Sequence, residues 1–146
     1  MQLVFDRLAS TGYMSNWVGR LMVREIDAFL SPHGLSVGYL PVFFALAIDE
    51  VLTQRDLANV AQVEQPTMAA TLSRMERDGL VERRANPDDG RSALISLSQK
   101  GRDKLPAVHA ATVAVNAKAN ARLSEDERKQ LLALLHKVAE TLSRDD

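Results

Sequence analysis

Residues 53–98 constrain this chain more tightly than any other stretch, reading TQRDLANVAQVEQPTMAATLSRMERDGLVERRANPDDGRSALISLS. Thr53 and Asp56 have the spacing of a capping box, a hydroxyl at the N-cap and a carboxylate three residues on, so a helix starts here. Leu57, Ala58 and Val60 give it a short apolar face, and Ala58 is small enough to let a second helix cross closely. Residues 61–64 form a turn, and Pro66 falls where a helix's first turn tolerates a missing N–H. From Thr67, the apolar positions Met68, Leu72, Met75 and Leu80 keep helical spacing and are predicted to face a core. Gly79 ends that helix.

A hairpin follows directly. Residues 81–84 read as a short strand, Asn86-Pro87-Asp88-Asp89-Gly90 is dense turn chemistry, and Ala93, Ile95 and Leu97 alternate as a second strand. Helix, turn, helix and hairpin in that order describe a winged helix-turn-helix, which places its second helix in a DNA major groove. On that helix Thr67, Thr71 and Arg74, with Gln65 and Pro66 at the leading end, are predicted to form a contact face apart from the packing face. Short polar groups and a guanidinium are the types that read base edges or hold phosphates. Arg91 stands beside the hairpin tip, where a guanidinium can enter a narrow, electronegative minor groove, and Asp89 is placed to orient it. The plainer alternative is a solvated hairpin with ordinary surface arginines; its position straight after a helix-turn-helix favours DNA.

The segment resembles the multiple-antibiotic-resistance regulator (MarR) family, and VEQPTMAATLSRMERDGLV is similar to its SlyA-type branch. DDGRSALISL resembles that family's Asp-x-Arg wing, and weaker similarity extends through LSPHGLSVGYLPVFFAL, LSQKGRDKL and LSEDERKQLLALL. The resemblance implies a homodimer on pseudopalindromic operators, acting as a repressor and released by a small aromatic or anionic ligand. Carried over by position, Pro66, Thr67 and Thr71 match recognition-helix contacts and Asp89 and Arg91 match wing contacts. One departure stands out: where many members carry a recognition-helix arginine, this chain has Ala70. Arginine-to-guanine pairing is the commonest specific contact. Part of that role is expected to pass to Gln65, Thr71 and Arg74, so the operator is not to be copied from the relatives.

The flanks read as helices that need a partner. Met14, Trp17, Val18, Leu21, Met22, Phe29 and Leu30 form a broad stripe ending at Ser31-Pro32-His33-Gly34. A long alanine-rich helix carries Leu105, Val108, Thr112, Val115 and Ala119. Ser124 and Glu127 make a second capping box, opening a helix faced by Leu131, Leu135, Val138 and Leu142, with Leu132 and Leu134 beside it. A small winged domain cannot cover all of these stripes, whereas terminal helices from two chains packing together can. The alternative is an intramolecular bundle. The expected fold is therefore mainly α with a small β-hairpin wing. Residues 36–98 form the winged helix-turn-helix DNA-binding lobe, and residues 1–34 and 99–146 a helical dimerisation region. Pro41 either opens or kinks the second helix.

A ligand cleft is the next expectation. Trp17, Arg20 and Arg24 share helical spacing on the first long helix, and Tyr39 and Phe43 lie four apart on the second, with Phe44 adjacent. A guanidinium for a carboxylate and rings for an aromatic body would suit the small acids the resemblance implies. Against this, aromatics at helical spacing are more often core. The candidate ligand residues are thus Trp17, Arg20, Tyr39 and Phe43.

Other chemistry is poorly supplied. The chain has no cysteine, which removes disulfides, thiolate metal sites and a peroxide-sensing thiol. His33, His109 and His136 lack ligand spacing, and no metal or cofactor is expected. Asp88-Asp89 are turn formers on a hairpin tip, and GLSVG lacks the strand-turn-helix setting of a nucleophile elbow, so no enzyme is expected. No signal peptide or membrane-length apolar run is evident, and a cytoplasmic location follows as the expectation. Net charge is only −1, but it is unevenly spread. Residues 82–104 hold six basic against four acidic side chains, and residues 125–146 the reverse, which puts the positive side at the wing. The competing functional class is a winged helix that binds protein, which need keep neither a small polar helix face nor a wing arginine.

Overall fold

The protein was analysed as a computed structural model describing residues 4–143; Arg144, Asp145 and Asp146, counted in the charge balance above, lie outside the described residues. Six α-helices and three strands are arranged as α1 (Thr11–Leu30), α2 (Leu40–Ile48), β1 (Leu52–Thr53), α3 (Gln54–Ala61), α4 (Gln65–Arg77), β2 (Val81–Ala85), β3 (Ala93–Leu97), α5 (Gln99–Ala119) and α6 (Glu125–Leu142). The expected fold class stands, mostly helical with a small wing. The sheet has one strand more than expected. The two residues of β1 pair antiparallel with β3, giving the order β1-β3-β2. β2 and β3 are in register from Val81 opposite Leu97 to Ala85 opposite Ala93.

Local chemistry explains the boundaries. Ser10 caps α1 by accepting from the Tyr13 N–H, and Gly34 takes a left-handed conformation (φ 69°) to end the turn after it. Pro41 lies in the first turn of α2 and opens it. The Thr53 hydroxyl accepts from the Asp56 N–H at 3.1 Å to start α3. Gln62 ends α3 with φ 54°, a left-handed residue in the helix-turn-helix turn. At the end of α4, Leu80 N–H donates to the Met75 carbonyl at 2.8 Å and Gly79 N–H to the Glu76 carbonyl at 3.0 Å, with Gly79 at φ 75°. That pair of bonds is a Schellman cap.

The chain divides into two compact units, one running through Thr112 and one from Val113. In the first, Leu30, Phe43, Leu57, Met68, Leu72, Met75, Leu80 and Ile95 form a continuous buried core, joined by Val108 and Ala111. Leu30 at the end of α1 and Val108 and Ala111 of α5 contribute to that same core. Within α3, Leu57 and Ala58 are buried as expected, but Val60 is 55% exposed and does not share their face. In the second unit α6 is opened by a full capping box, the Ser124 hydroxyl accepting from Glu127 N–H at 3.1 Å and Glu127 accepting from Ser124 N–H at 3.0 Å. Those bonds hold the Glu127 carboxyl below its ordinary range. Leu131, Leu132, Leu134, Leu135, Val138 and Leu142 are all exposed along α6.

Candidate nucleic-acid interface

α4 divides as an amphipathic helix should, but not quite where its spacing suggested. Met68, Leu72 and Met75 are buried, while Gln65, Pro66, Thr67, Ala70, Ser73, Arg74 and Arg77 are exposed. Thr71 belongs with the first group: it is 6% exposed, next to Leu72 and three residues after Met68. The predicted contact face is therefore corrected there, since a side chain packed into the core cannot reach a base edge. The i, i+3, i+4 rule links Thr67 with Ala70, Ser73 or Arg74, and Arg77, and these make the outward face instead. Ser73 and Arg77 are exposed on this face too. Ala70 lies in the middle of the exposed face, so the absent arginine leaves a gap there.

The wing stands beside the leading end of α4. A groove of about 550 Å³ is lined by Thr53, Gln54, Arg55, Gln65, Arg83, Asn86, Asp89, Arg91, Ser92 and Ala93. It joins the first turns of α3 and α4 to the hairpin, and the amides of Gln54 and Gln65 touch across it at 3.5 Å. Of the predicted residues, Gln65, Asp89 and Arg91 meet in this groove, Pro66, Thr67 and Arg74 are exposed on α4 outside its lining, and Thr71 is excluded. Arg55 and Arg83 join the groove unpredicted. β2 is buried only at Val81 and leaves Glu82, Arg83 and Arg84 exposed.

The wing tip is built from its own side chains. The Asp88 N–H donates to Asn86 Oδ1 at 3.0 Å, and the Asn86 amide donates to the Ser92 hydroxyl at 3.0 Å. Asp89 Oδ1 accepts from the backbone N–H of Arg91 at 3.0 Å. Asp89 therefore orients Arg91 through its main chain, not through its guanidinium. Arg83 is treated differently: its Nε donates to Glu76 Oε2 on α4, which joins the wing to the recognition helix. At the far end of α4, the Tyr39 hydroxyl donates to Asp78 Oδ2 at 2.6 Å. Burial, the hydrogen bond and the neighbouring negative charge raise the Tyr39 pKa, and the same bond, helped by Arg77, lowers that of Asp78.

Residues 33–92 match the MarR family. The HTH-type transcriptional repressor Rv2887 of Mycobacterium tuberculosis is 30% identical over 130 residues, covering 89% of this chain and 94% of the relative. The chain belongs to the MarR family. The HTH-type transcriptional regulator BilQ of Clostridium symbiosum is also 30% identical, over 77% of this chain and 78% of its own length. Among solved structures, a point mutant of Escherichia coli MarR in complex with operator DNA aligns with a TM-score of 0.85 and 25% identity, over 94% of this chain and 99% of that one. This MarR-family chain is a transcriptional regulator of the winged-helix type.

The expected ligand residues are not assembled. Phe43 is 1% exposed and Tyr39 4%, with its hydroxyl held by Asp78, so both are spent in the core of the first unit. Trp17 and Arg20 lie on the exposed side of α1, where Tyr13 meets Trp17 edge-on with ring centroids 6.5 Å apart. The helical spacing that suggested two aromatic walls was that of a packing face. Among the described residues, no single helix is long and apolar enough to cross a membrane.

Proposed function

We propose that this MarR-family regulator acts as a homodimer reading a pseudopalindromic operator, with α4 of each protomer in a major groove and Arg91 in the adjacent minor groove. The observation that carries this reading is the single groove uniting Gln65, Arg55, Arg83 and Arg91, alongside an α4 face of small polar groups and arginines. Phosphate contacts fix register and base-edge contacts specify sequence. On this chain Arg55, Arg83 and Arg91 suit the first task, and Gln65, Thr67, Ser73 and Arg74 the second. The exposed apolar residues of α1 (Tyr13, Trp17, Val18, Leu21 and Phe29) and of α6 support pairing of two chains, because a solvated monomer rarely leaves such stripes open. Repression by promoter occupancy is the sign suggested by the repressor of Mycobacterium tuberculosis. Release by a small aromatic or anionic ligand would then involve Trp17 and Arg20, the two ligand candidates that remain accessible.

Selection of duplexes from a random library, followed by sequencing, tests this. An inverted repeat with half-sites about one helical turn apart is expected. For the enriched duplex, log affinity should fall with log salt with a slope of about −0.9 per phosphate neutralised. No enrichment and a flat salt response would refute the reading.

A further inference from the structure

The junction between α4 and α5 holds more polar contacts than closing a helix requires. α4 is already ended by its own Schellman cap, with Leu80 N–H on the Met75 carbonyl and Gly79 N–H on that of Glu76. Yet three carbonyls beyond the end of α4 are each gripped by Ser98 or the first turn of α5. Lys100 Nζ donates to the Asp78 carbonyl at 2.8 Å, the Ser98 hydroxyl donates to that of Gly79, and Ser98 N–H donates to that of Leu80 at 2.9 Å. The Ser98 hydroxyl also accepts from Gly101 N–H at 3.0 Å, which fixes its direction. From the opposite side Tyr39, just before α2, holds the Asp78 side chain at 2.6 Å. Lys104 Nζ donates to the His33 carbonyl at 2.9 Å, pinning α5 to the turn after α1.

Lys100 is the informative member. It is exposed, and its bond to Asp78 is exposed, so water would reach that carbonyl in its absence. A long, entropy-rich ammonium that closes on an already capped helix end is not there to satisfy a buried group. It sits where a cation also meets the negative end of the α4 dipole, so its grip is charge-assisted. The arrangement ties the recognition helix at its far end to α5, the helix through which the chain leaves this unit, and ties it again to α2 through Tyr39.

We infer that Lys100, with Ser98 and Tyr39, forms a latch that sets the angle at which α4 is presented, and that Lys100 is a positioning residue for the spacing between half-sites. The inference rests on the dimeric reading proposed above, in which the separation of two α4 helices must match the operator. Loosening the latch leaves the reading face of α4 intact, so the preferred bases stay the same while the tolerated spacing widens.

The test is the same library selection carried out with the full chain and with Lys100→Met, Lys100→Arg and Tyr39→Phe. Melting curves by circular dichroism confirm that each is folded, and Tyr39→Phe serves where Lys100→Met fails to fold. Lys100→Met and Tyr39→Phe should enrich the wild-type half-site. Their preference for the best spacing over its one-base-pair neighbours should fall about fivefold, the effect of one hydrogen bond of ordinary strength. Lys100→Arg should restore it. A uniform loss of affinity at every spacing, or unchanged spacing preference in both variants, overturns the latch alone. Absence of any fixed spacing for the wild-type chain overturns the dimeric reading, and the inference with it.

Discussion

Gly101→Ala sets two well-measured effects against each other. Alanine is the better helix former by up to about 1 kcal/mol, and Gly101 lies in the first turn of α5, so intrinsic propensity alone predicts stabilisation. Geometry predicts the reverse. A Cβ on residue 101 would lie 2.1 Å from the Leu80 carbonyl oxygen, 3.1 Å from its carbon and 3.3 Å from Leu97 Cδ2. The first two obstacles are backbone, in a segment held by the Ser98 N–H at 2.9 Å, so they cannot swing aside as the end of a flexible side chain can. Relief requires α5 to withdraw by about an ångström, breaking that hydrogen bond (about 1 kcal/mol) and disturbing the packing of Leu80 and Leu97. Overpacking of a filled core costs up to about 3 kcal/mol. After the propensity gain, a net loss of about 3 kcal/mol remains, equivalent to a fall in Tm on the order of 10 °C for a chain of this size. Urea denaturation followed by circular dichroism, at one fixed protein concentration because association couples to stability, gives the answer directly. A Gly101→Ala protein as stable as the parent, or more so, would show that α5 does not press on Leu80 and would refute the close approach.

Arg91→Ala should weaken binding to every duplex alike and reduce the salt slope by about one phosphate's worth, close to 0.9 per protomer; fluorescence anisotropy across a salt series measures both, and an unchanged slope would remove Arg91 from the DNA. Thr71→Val, nearly isosteric and set in the core, should leave base preference as it is in a duplex selection, and altered preference at any position would return residue 71 to the groove. Stability should drop in acid. Asp78 is held below its ordinary range chiefly by the Tyr39 hydrogen bond and Glu127 by Ser124, so what they contribute is present above the ordinary carboxylate pKa and lost as pH falls through their lowered values. Denaturation midpoints between pH about 5 and 2 should therefore flatten in an Asp78→Asn, Glu127→Gln double variant, and an acid limb identical to the parent's would contradict the assignment.

Much of the fold was legible because its determinants are local. Thr53, Pro66, Gly79 and Ser124 each act within a turn of their own position, and each marks a boundary the structure keeps. The wing could be read for the same reason, its tip being organised by Asn86 and Asp89 on their own neighbours. β1 could not: two residues have no periodicity, and Leu52 and Thr53 are a strand only because β3 passes beside them. Thr71 shows a different failure. Residue type suggested contact, but at 100° per residue position 71 lies beside Met68, Leu72 and Met75, and phase outranks polarity when a helix packs. Tyr39 and Phe43 failed likewise, since both are buried in the core of the first unit. Arg55 and Arg83 needed the tertiary fold, since only the meeting of α3, α4 and the hairpin brings them to one groove.

The chain's near-neutral charge is compatible with DNA binding only if its cations are local and free, and the groove meets that condition unequally. Arg83 is occupied by Glu76, so binding phosphate there requires exchanging one carboxylate for another oxyanion, with little net gain. Arg91 is held by Asp89 only through its backbone N–H, and its guanidinium is not tied up in that bond. A guanidinium that meets DNA without first leaving an ion pair would contribute more of its counterion release than one drawn from a pair. On the proposed reading, Arg91 would therefore contribute more to affinity than Arg83. Glu76, by holding Arg83, instead links the wing to α4.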